Sequence, residues 1–559
     1  MKIRLLLAAT LSLPALSFSQ VGLGNFTGNI ESNFQYLNED TVIHALQPPS
    51  KGLMNSYMNV FYTQGNFKAG MRLESYLPRI QGYPDYFSGT GIGMRYIGYT
   101  NDFVDVTVGS FYEQFGSGLV LRAYEDRSLG YDNMLDGFRA IIRPYKGIVI
   151  KGVYGYQRAS FVEGRIQHGP GIVRGFDGEI HLNEALKWME NKALDVSIGG
   201  SFASKYQADD QPNLILPENV GCYGGRLKMR YNKFTFDTEY VMKGQDPSQD
   251  NGLIFNPGHA LVANLGFSQK GLGIMVSAKS TDNMSYRSNR NGKSQELLMN
   301  YIPSMNKTHT YNLVASLYPY ATQLLGEVAY QAEVLYTIKR GSKLGGKYGT
   351  SLNFNYSTTH NSIHHTSGIN PLDSTGVTYT SRLFDQGSTL YWQDINFNIS
   401  KKFTKNFNMI LSYYNITLNN NVASVTKITK PDGLIRSNIF VAEFGLKFAN
   451  KQSLRAEVQG LFINKYEGKP VDKGNWATMV VEYTFNSNWF MSVMDQYNYG
   501  NPYKERRAHH PYVTVGYIRE ATRIMVSYGR QRAGMFCVGG VCRQVPASNG
   551  LTISLTQSF

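Results

Sequence analysis

From Asn25 to Phe559 the chain repeats one device: segments of roughly ten residues in which apolar and polar side chains alternate, joined by links that are short and long in turn. Between Phe67 and Ser75, Phe67, Ala69, Met71 and Leu73 alternate with Lys68, Gly70, Arg72 and Glu74. Val104, Val106 and Val108 alternate with Asp105 and Thr107. Phe234, Phe236, Tyr240 and Met242 face away from Asp237, Glu239 and Lys243, and Leu454, Ala456, Val458 and Phe462 away from Arg455, Glu457 and Gln459. Period two gives each strand one apolar and one polar face. Soluble sandwiches alternate as well, so the links decide. Short ones such as Asn101-Asp102, Asn232-Lys233, Lys270-Gly271, Thr404-Lys405-Asn406 and Asn486-Ser487-Asn488 sit between long ones at 38–53, 77–91, 207–219, 245–258, 283–307, 419–435 and 533–547. Tight turns at one end and long loops at the other are the plan of an all-β transmembrane antiparallel barrel, with periplasmic turns and extracellular loops. About ten residues in a tilted strand cross the hydrocarbon core, and closure pairs every backbone group inside lipid.

Counting segments gives about 25 strands, and bacterial single-chain barrels have even numbers. The expectation is therefore 24 or 26 strands across residues 20–559, with no separate soluble domain. Alternating directions from an upward first strand sends Tyr348 to Thr358 downward. Leu390 to Phe403 must also run down, into the turn at Thr404. A strand is therefore missing or over-counted between about 318 and 389, and Val377 to Phe384 is a candidate for a missing one.

Composition excludes the rivals. Only 17% of residues are charged and 13% are aromatic. Beyond the first 20 residues no apolar run approaches the roughly 20 that a membrane helix needs. The 56 glycines have no three-residue period, and the aromatic content argues against disorder. The formal charge of +14 comes from Lys and Arg dispersed along the chain, which is no nucleic-acid footprint and suits anionic head groups or anionic solutes. At the N-terminus, Lys2 and Arg4 precede an apolar stretch from Leu5 to Leu16 and then Ser17-Phe18-Ser19. This reads as a signal peptide, residues 1–19, cleaved after Ser19. Together with the barrel pattern it places the protein in a bacterial outer membrane. Cys537 and Cys542 flank a Gly-Gly turn in an oxidising compartment and are candidates for a disulfide, while Cys222 stands alone.

The final segment alternates Leu551, Ile553, Leu555, Gln557 and Phe559 with Thr552, Ser554, Thr556 and Ser558. A last strand ending on Phe559 resembles the assembly signal of bacterial outer-membrane barrels, which implies the barrel-assembly machinery as a partner during insertion. The tyrosine-rich strands, together with Tyr112-Glu113-Gln114-Phe115-Gly116, Leu121-Arg122-Ala123-Tyr124-Glu125-Asp126-Arg127, Asp132-Asn133 and Asp136-Gly137-Phe138-Arg139, resemble an uncharacterised, porin-like family of Bacteroidota outer-membrane proteins. That resemblance spans the whole chain and implies a fold and a location, not an activity. TonB-dependent transporters of that phylum carry a plug ahead of the barrel. Strands here begin near Asn25, so the chain departs from their pattern.

One segment, 112–139, stands out for chemistry. Glu113, Arg122, Glu125, Asp126, Arg127, Asp132, Asp136 and Arg139 are interspersed with glycines, and the segment is either a constriction folded into the lumen, a docking loop, or solvated surface. Lys68, Arg72, Glu74, Asp105, Asp237, Glu239, Lys243, Arg455 and Glu457 are placed on inward faces, as lumen lining or as cross-strand ion pairs. His360, His364 and His365 cluster without an acidic or thiol partner at a fixed metal-ligand spacing, so no metal is assigned. No nucleophile elbow is present, and no catalytic residue or cofactor is assigned. The expected function is a non-enzymatic pore or transporter for small solutes in outer-membrane lipid. The alternative is a barrel subunit of a larger outer-membrane assembly, for protein secretion or barrel biogenesis, with other outer-membrane or periplasmic proteins as partners.

Overall fold

The computed structural model describes residues 24–292, 296–366, 368, 376–423, 433–448, 451–463, 474–538 and 541–559, with the side chains at 423 and 535–544 excepted. The signal-peptide stretch 1–19 lies outside the described residues. Twenty-four strands form a single closed antiparallel sheet. Each strand pairs with its neighbours in sequence, and the first, Asn25–Asn38, pairs both with Gly52–Gln64 and with the last, Ser548–Ser558. The barrel therefore has no open edge, which is the condition for a sheet in hydrocarbon.

The two-residue turns set the register. Gln64 to Phe67, Tyr231 to Phe234 and Gln269 to Leu272 are closed with Gly65, Asn232 and Gly271 at φ of 55°, 53° and 82°. Positive φ twists the turn in the same sense as the strands, and glycine or asparagine reaches it with little strain. Alternation then sorts the faces. In the strand Phe67–Tyr76, Phe67 is 64% exposed on the outside and Arg72 only 1% on the inside. Phe138, Phe176, Phe202 and Tyr223 continue the outer apolar surface, as lipid contact requires.

Two details of the count are corrected. The loop that opens at Asn283 runs on to Leu325, well past 307, before the strand Gly326–Ile338 begins. One strand fewer then precedes Thr350–Ser362, which rises toward the long loops instead of descending, and the alternation closes at 24. Residues 377–384 form no barrel strand; their one ladder contact is an isolated bridge between His365 and Thr380.

The hydrophobic core lies inside the barrel. One cluster joins Phe115, Leu119, Val120 and Leu121 to Met284, Tyr286, Met299 and Ile302 and to inner-wall Val153, Val173, Ala203 and Val241. A second joins Leu313, Val314, Tyr318 and Tyr320 to Trp392, Tyr414, Ile439, Leu461 and Trp476. In both, loop residues are buried against the wall from within.

Candidate functional site

The segment 112–134 leaves the strand Val104–Phe111 at the long-loop end and turns inward. Residues 135–139, expected within the same segment, belong instead to the wall strand Leu135–Tyr145. The inward tip reaches the middle of the wall. Phe115 lies on Gly175, where a Cβ would come within 2.6 Å of its ring. The Ser117 amide donates to Glu239 at 2.8 Å, and Gly116 holds φ 53° with the same carboxylate where a side chain would project. Glu113 accepts from Arg139 at 2.6 Å and from Lys151 at 2.8 Å. Burial opposes ionisation of Glu113, but the hydrogen bonds from these two cations outweigh it and hold its pKa below the usual carboxylate value.

Behind the tip, a buried ion network fixes the small hairpin Glu125–Asp126 and Tyr131–Asp132 to the wall. Arg158 is bidentate to Glu74, at 2.9 and 2.7 Å, and reaches Asp132 at 2.8 Å. Arg72 contacts Glu74 at 2.7 Å, Glu125 at 2.8 Å and Asp132 at 2.8 Å. Arg127 bonds Glu125 at 2.9 Å and Glu31 at 2.6 Å, with its guanidinium over the Tyr57 ring. Burial pushes the Glu125 carboxyl above its ordinary pKa, with Arg72 opposing. The arrangement is self-consistent: each buried charge faces charges of opposite sign through hydrogen bonds, the condition under which buried ions are tolerated.

Arg122 differs from these. Its guanidinium lies between two tyrosine rings, 4.2 Å from the centroid of Tyr124 and 4.1 Å from that of Tyr301. Its partners are aromatic rather than carboxylate, and among the described residues no acid is paired with it. Backbone contacts fasten this stretch to a second inward segment: Arg122 donates to Met299 at 2.7 Å, and Tyr301 to Gly118 at 2.9 Å. Asn133 and Gln157 both donate to the Leu298 carbonyl, at 2.8 and 2.9 Å.

The second segment, of which 283–292 and 296–325 are described, crosses the interior. On one side Tyr286 donates to the carbonyls of Ala203 and Val220. Beyond Met299 the contacts step round the far wall. Lys307 meets Glu333, His309 meets Asp394 at 2.8 Å, Tyr311 meets Glu443 at 3.2 Å, and the Leu313 amide meets Gln459 at 3.0 Å. The helix Asn312–Leu317 extends these contacts to Gln496 and Arg532. Two of the barrel's own loops thus pack against its inner wall.

The inward-facing charges mostly form cross-strand pairs. Lys68 meets Asp105 at 2.9 Å, and Arg455 meets Glu443, Glu457 and Glu482. Lys243 lies 3.7 Å from Asp246. Asp136 pairs with Arg95 and His168 on the wall. The Asp126 carboxylate caps its own turn, accepting from the Leu129 amide at 3.1 Å. The histidine cluster is dispersed in partnership: His364 bonds Asp282 and stacks on Tyr379, His365 bonds Asp385, and His360 lies by Thr358. Among the described residues no group of three or more His, Cys, Asp or Glu is placed to hold a metal. Cys537 stands opposite Cys542 in the hairpin Gly534–Val538 and Val541–Val545, but their side chains lie outside the described residues. The segment 283–325 was not among the sequence candidates. Its apolar run from Leu313 to Tyr320, dense for a solvated loop, is the signal that points to it.

No curated protein sequence matches the chain significantly. Among solved structures, the siderophore receptor PirA from Pseudomonas aeruginosa is 8% identical at a TM-score of 0.41, over 97% of this chain and 81% of that one. OpdK from the same organism, solved with vanillate, is 8% identical at 0.35, over 96% and 98%. OccK3 from Pseudomonas aeruginosa is 10% identical at 0.34, over 79% and 96%. A family profile described as a family of unknown function, DUF6029, matches residues 1–559, and the chain belongs to that family.

Proposed function

We propose that the protein is an outer-membrane pore or transporter for small solutes, of Bacteroidota type, exported with residues 1–19 as a signal peptide cleaved after Ser19. The short turns then face the periplasm and the long loops the exterior. The observation that supports this reading is the inward tip 113–120, pinned at mid-wall by Glu239, Arg139 and Lys151. A loop held at that depth narrows the path, and charged groups at a narrowing select among permeating ions. Arg122, clamped between Tyr124 and Tyr301, is the cation that gives such a path anion preference. No part of this reading calls for catalysis. Planar-bilayer recording of the purified protein tests it: discrete conductance steps with anion preference are expected, and a silent barrel would overturn it.

The second reading, a subunit of a larger outer-membrane assembly, draws on the outer wall. Gly178, Gly200 and Gly225 stand in register on three adjacent strands. None has positive φ, and a Cβ on any of them would meet no atom nearer than 3.7 Å. Neither backbone nor crowding explains glycine there. They floor a groove of about 890 Å³ in the lipid-facing surface, walled by Phe176, Phe202, Tyr223 and Tyr240. Glycine inside a strand often marks the close approach of another group. Mild-detergent purification from native membranes decides between the readings: a stoichiometric partner lost on Gly200→Phe would favour the assembly subunit.

A further inference from the structure

The two ends of the barrel differ in charge. At the short-turn end, the links are 65–66, 101–103, 146–147, 182–193, 232–233, 270–271, 339–349, 403–406, 448–452, 485–488 and 520–521. They carry eleven Lys or Arg and only four acids, Asp102, Glu184, Glu190 and Glu520. The twelve links at the other end are balanced, with 19 bases and 20 acids. Within these links the cations are confined to an arc, outside which the strand ends beside 520–521 add only Arg519 and Arg523. The seven consecutive links from 146–147 round to 448–452 hold all eleven, four of them in one turn as Lys339, Arg340, Lys343 and Lys347. The four links without a cation adjoin one another across the seam where the first and last strands meet.

We propose that this basic arc is a docking surface for the phosphate head groups of anionic phospholipids in the inner leaflet. The proposal rests on the reading that the short turns face the periplasm. Three observations favour lipid over a soluble acidic partner. The arc covers more than half the circumference, as a surrounding leaflet does. Its turns also carry large exposed apolar groups beside the cations, Trp188 at 68% and Leu344 at 70%, the pairing of apolar body and charged tip found at a membrane interface. And two strand-end lysines next to the arc lie against rings of its turns: the Lys401 ammonium is 5.6 Å from the Phe403 ring, and Lys402 is 5.2 Å from Tyr348. A lysine anchored in this way holds its charge at head-group depth.

The full-length protein, purified in zwitterionic detergent, is titrated with phosphatidylglycerol or phosphatidylcholine, and the lipid retained after desalting is quantified. Retention of phosphatidylglycerol should exceed that of phosphatidylcholine by about tenfold or more at low salt, and the preference should collapse in about 1 M salt. Combined Lys339→Gln, Arg340→Gln, Lys343→Gln and Lys347→Gln should remove most of it, whereas Lys504→Gln, Arg506→Gln and Arg507→Gln at the opposite end should not. Heat-modified gel migration checks folding, and if the rim variant misfolds, the wild-type lipid preference and its salt reversal decide alone. Equal retention of the two lipids overturns the proposal, as does equal loss in both variants. So does an acidic protein that co-purifies through the rim while the lipid preference survives its removal. None of these readings depends on conductance, so a silent pore would leave this proposal standing.

Discussion

Phe559 and Gly28 exchange backbone hydrogen bonds in both directions at 2.9 Å, and the Phe559 ring covers the face on which Gly28 has no side chain. A Cβ at Gly28 would lie 2.6 Å from that ring and 2.5 Å from the Asn59 carbonyl. The aromatic that resembles an assembly signal therefore also seals the seam between the first and last strands.

Deleting Phe559 should lower the assembled, heat-modifiable fraction far more than it lowers synthesis. Gly28→Val should do the same with the terminal residue intact, because the seam itself is blocked. Quantitative blotting of membrane fractions measures both, and normal assembly of both variants would refute a role for the seam.

Arg122 and Arg158 should separate selectivity from anchoring. Arg122→Ala removes a charge held between tyrosines and should reduce the anion-to-cation permeability ratio by roughly twofold or more while folding is retained. Arg158→Ala leaves Glu74 and Asp132 buried without that partner, a change that costs about 3–5 kcal/mol. It should open the 125–132 hairpin to protease digestion from outside.

The tip should release in acid. The Glu113 pKa is held below its unfolded value, so its contacts with Arg139 and Lys151 stabilise the tucked loop fully above about pH 4.3 and fade as pH falls through the lowered value. Conductance and protease resistance should be steady from pH 7 to about 5 and change below about 4. Glu113→Gln should abolish that acid step.

Cys537 and Cys542 stand directly opposite each other in a two-stranded hairpin, a register in which a disulfide is readily built. Denatured, unreduced protein should expose a single thiol, that of the buried Cys222, and three after reduction. Three thiols before reduction would exclude the bridge.

The wall was legible in the sequence because lipid and lumen impose a period of two on every strand, as at Phe67 and Arg72. The pairing of Lys68 with Asp105 follows from the same parity. The depth of the 112–134 segment was not legible. Its charges read equally as solvated surface until Glu239 and Lys151, far away in sequence, are seen to meet it. The crossing segment 283–325 was missed for a related reason. His309, Tyr311 and Leu313 are held by Asp394, Glu443 and Gln459, partners up to 146 residues distant, and no local pattern encodes such contacts. Extended stretches of its interior also mimic strands, which displaced the strand count near Thr350–Ser362.

The route of that crossing segment sets an order of events. Tyr286 and Met299 find their partners among residues made before them, but Leu313 and Asn312 must wait for Gln459 and Gln496. The middle of the chain is therefore held unfinished until its last third has been laid into the wall. The barrel closes around a guest from its own sequence, and a chain cut short before Gln459 would leave the apolar face of Leu313, Val314, Tyr318 and Tyr320 without Leu461 and Trp476 to complete its cover.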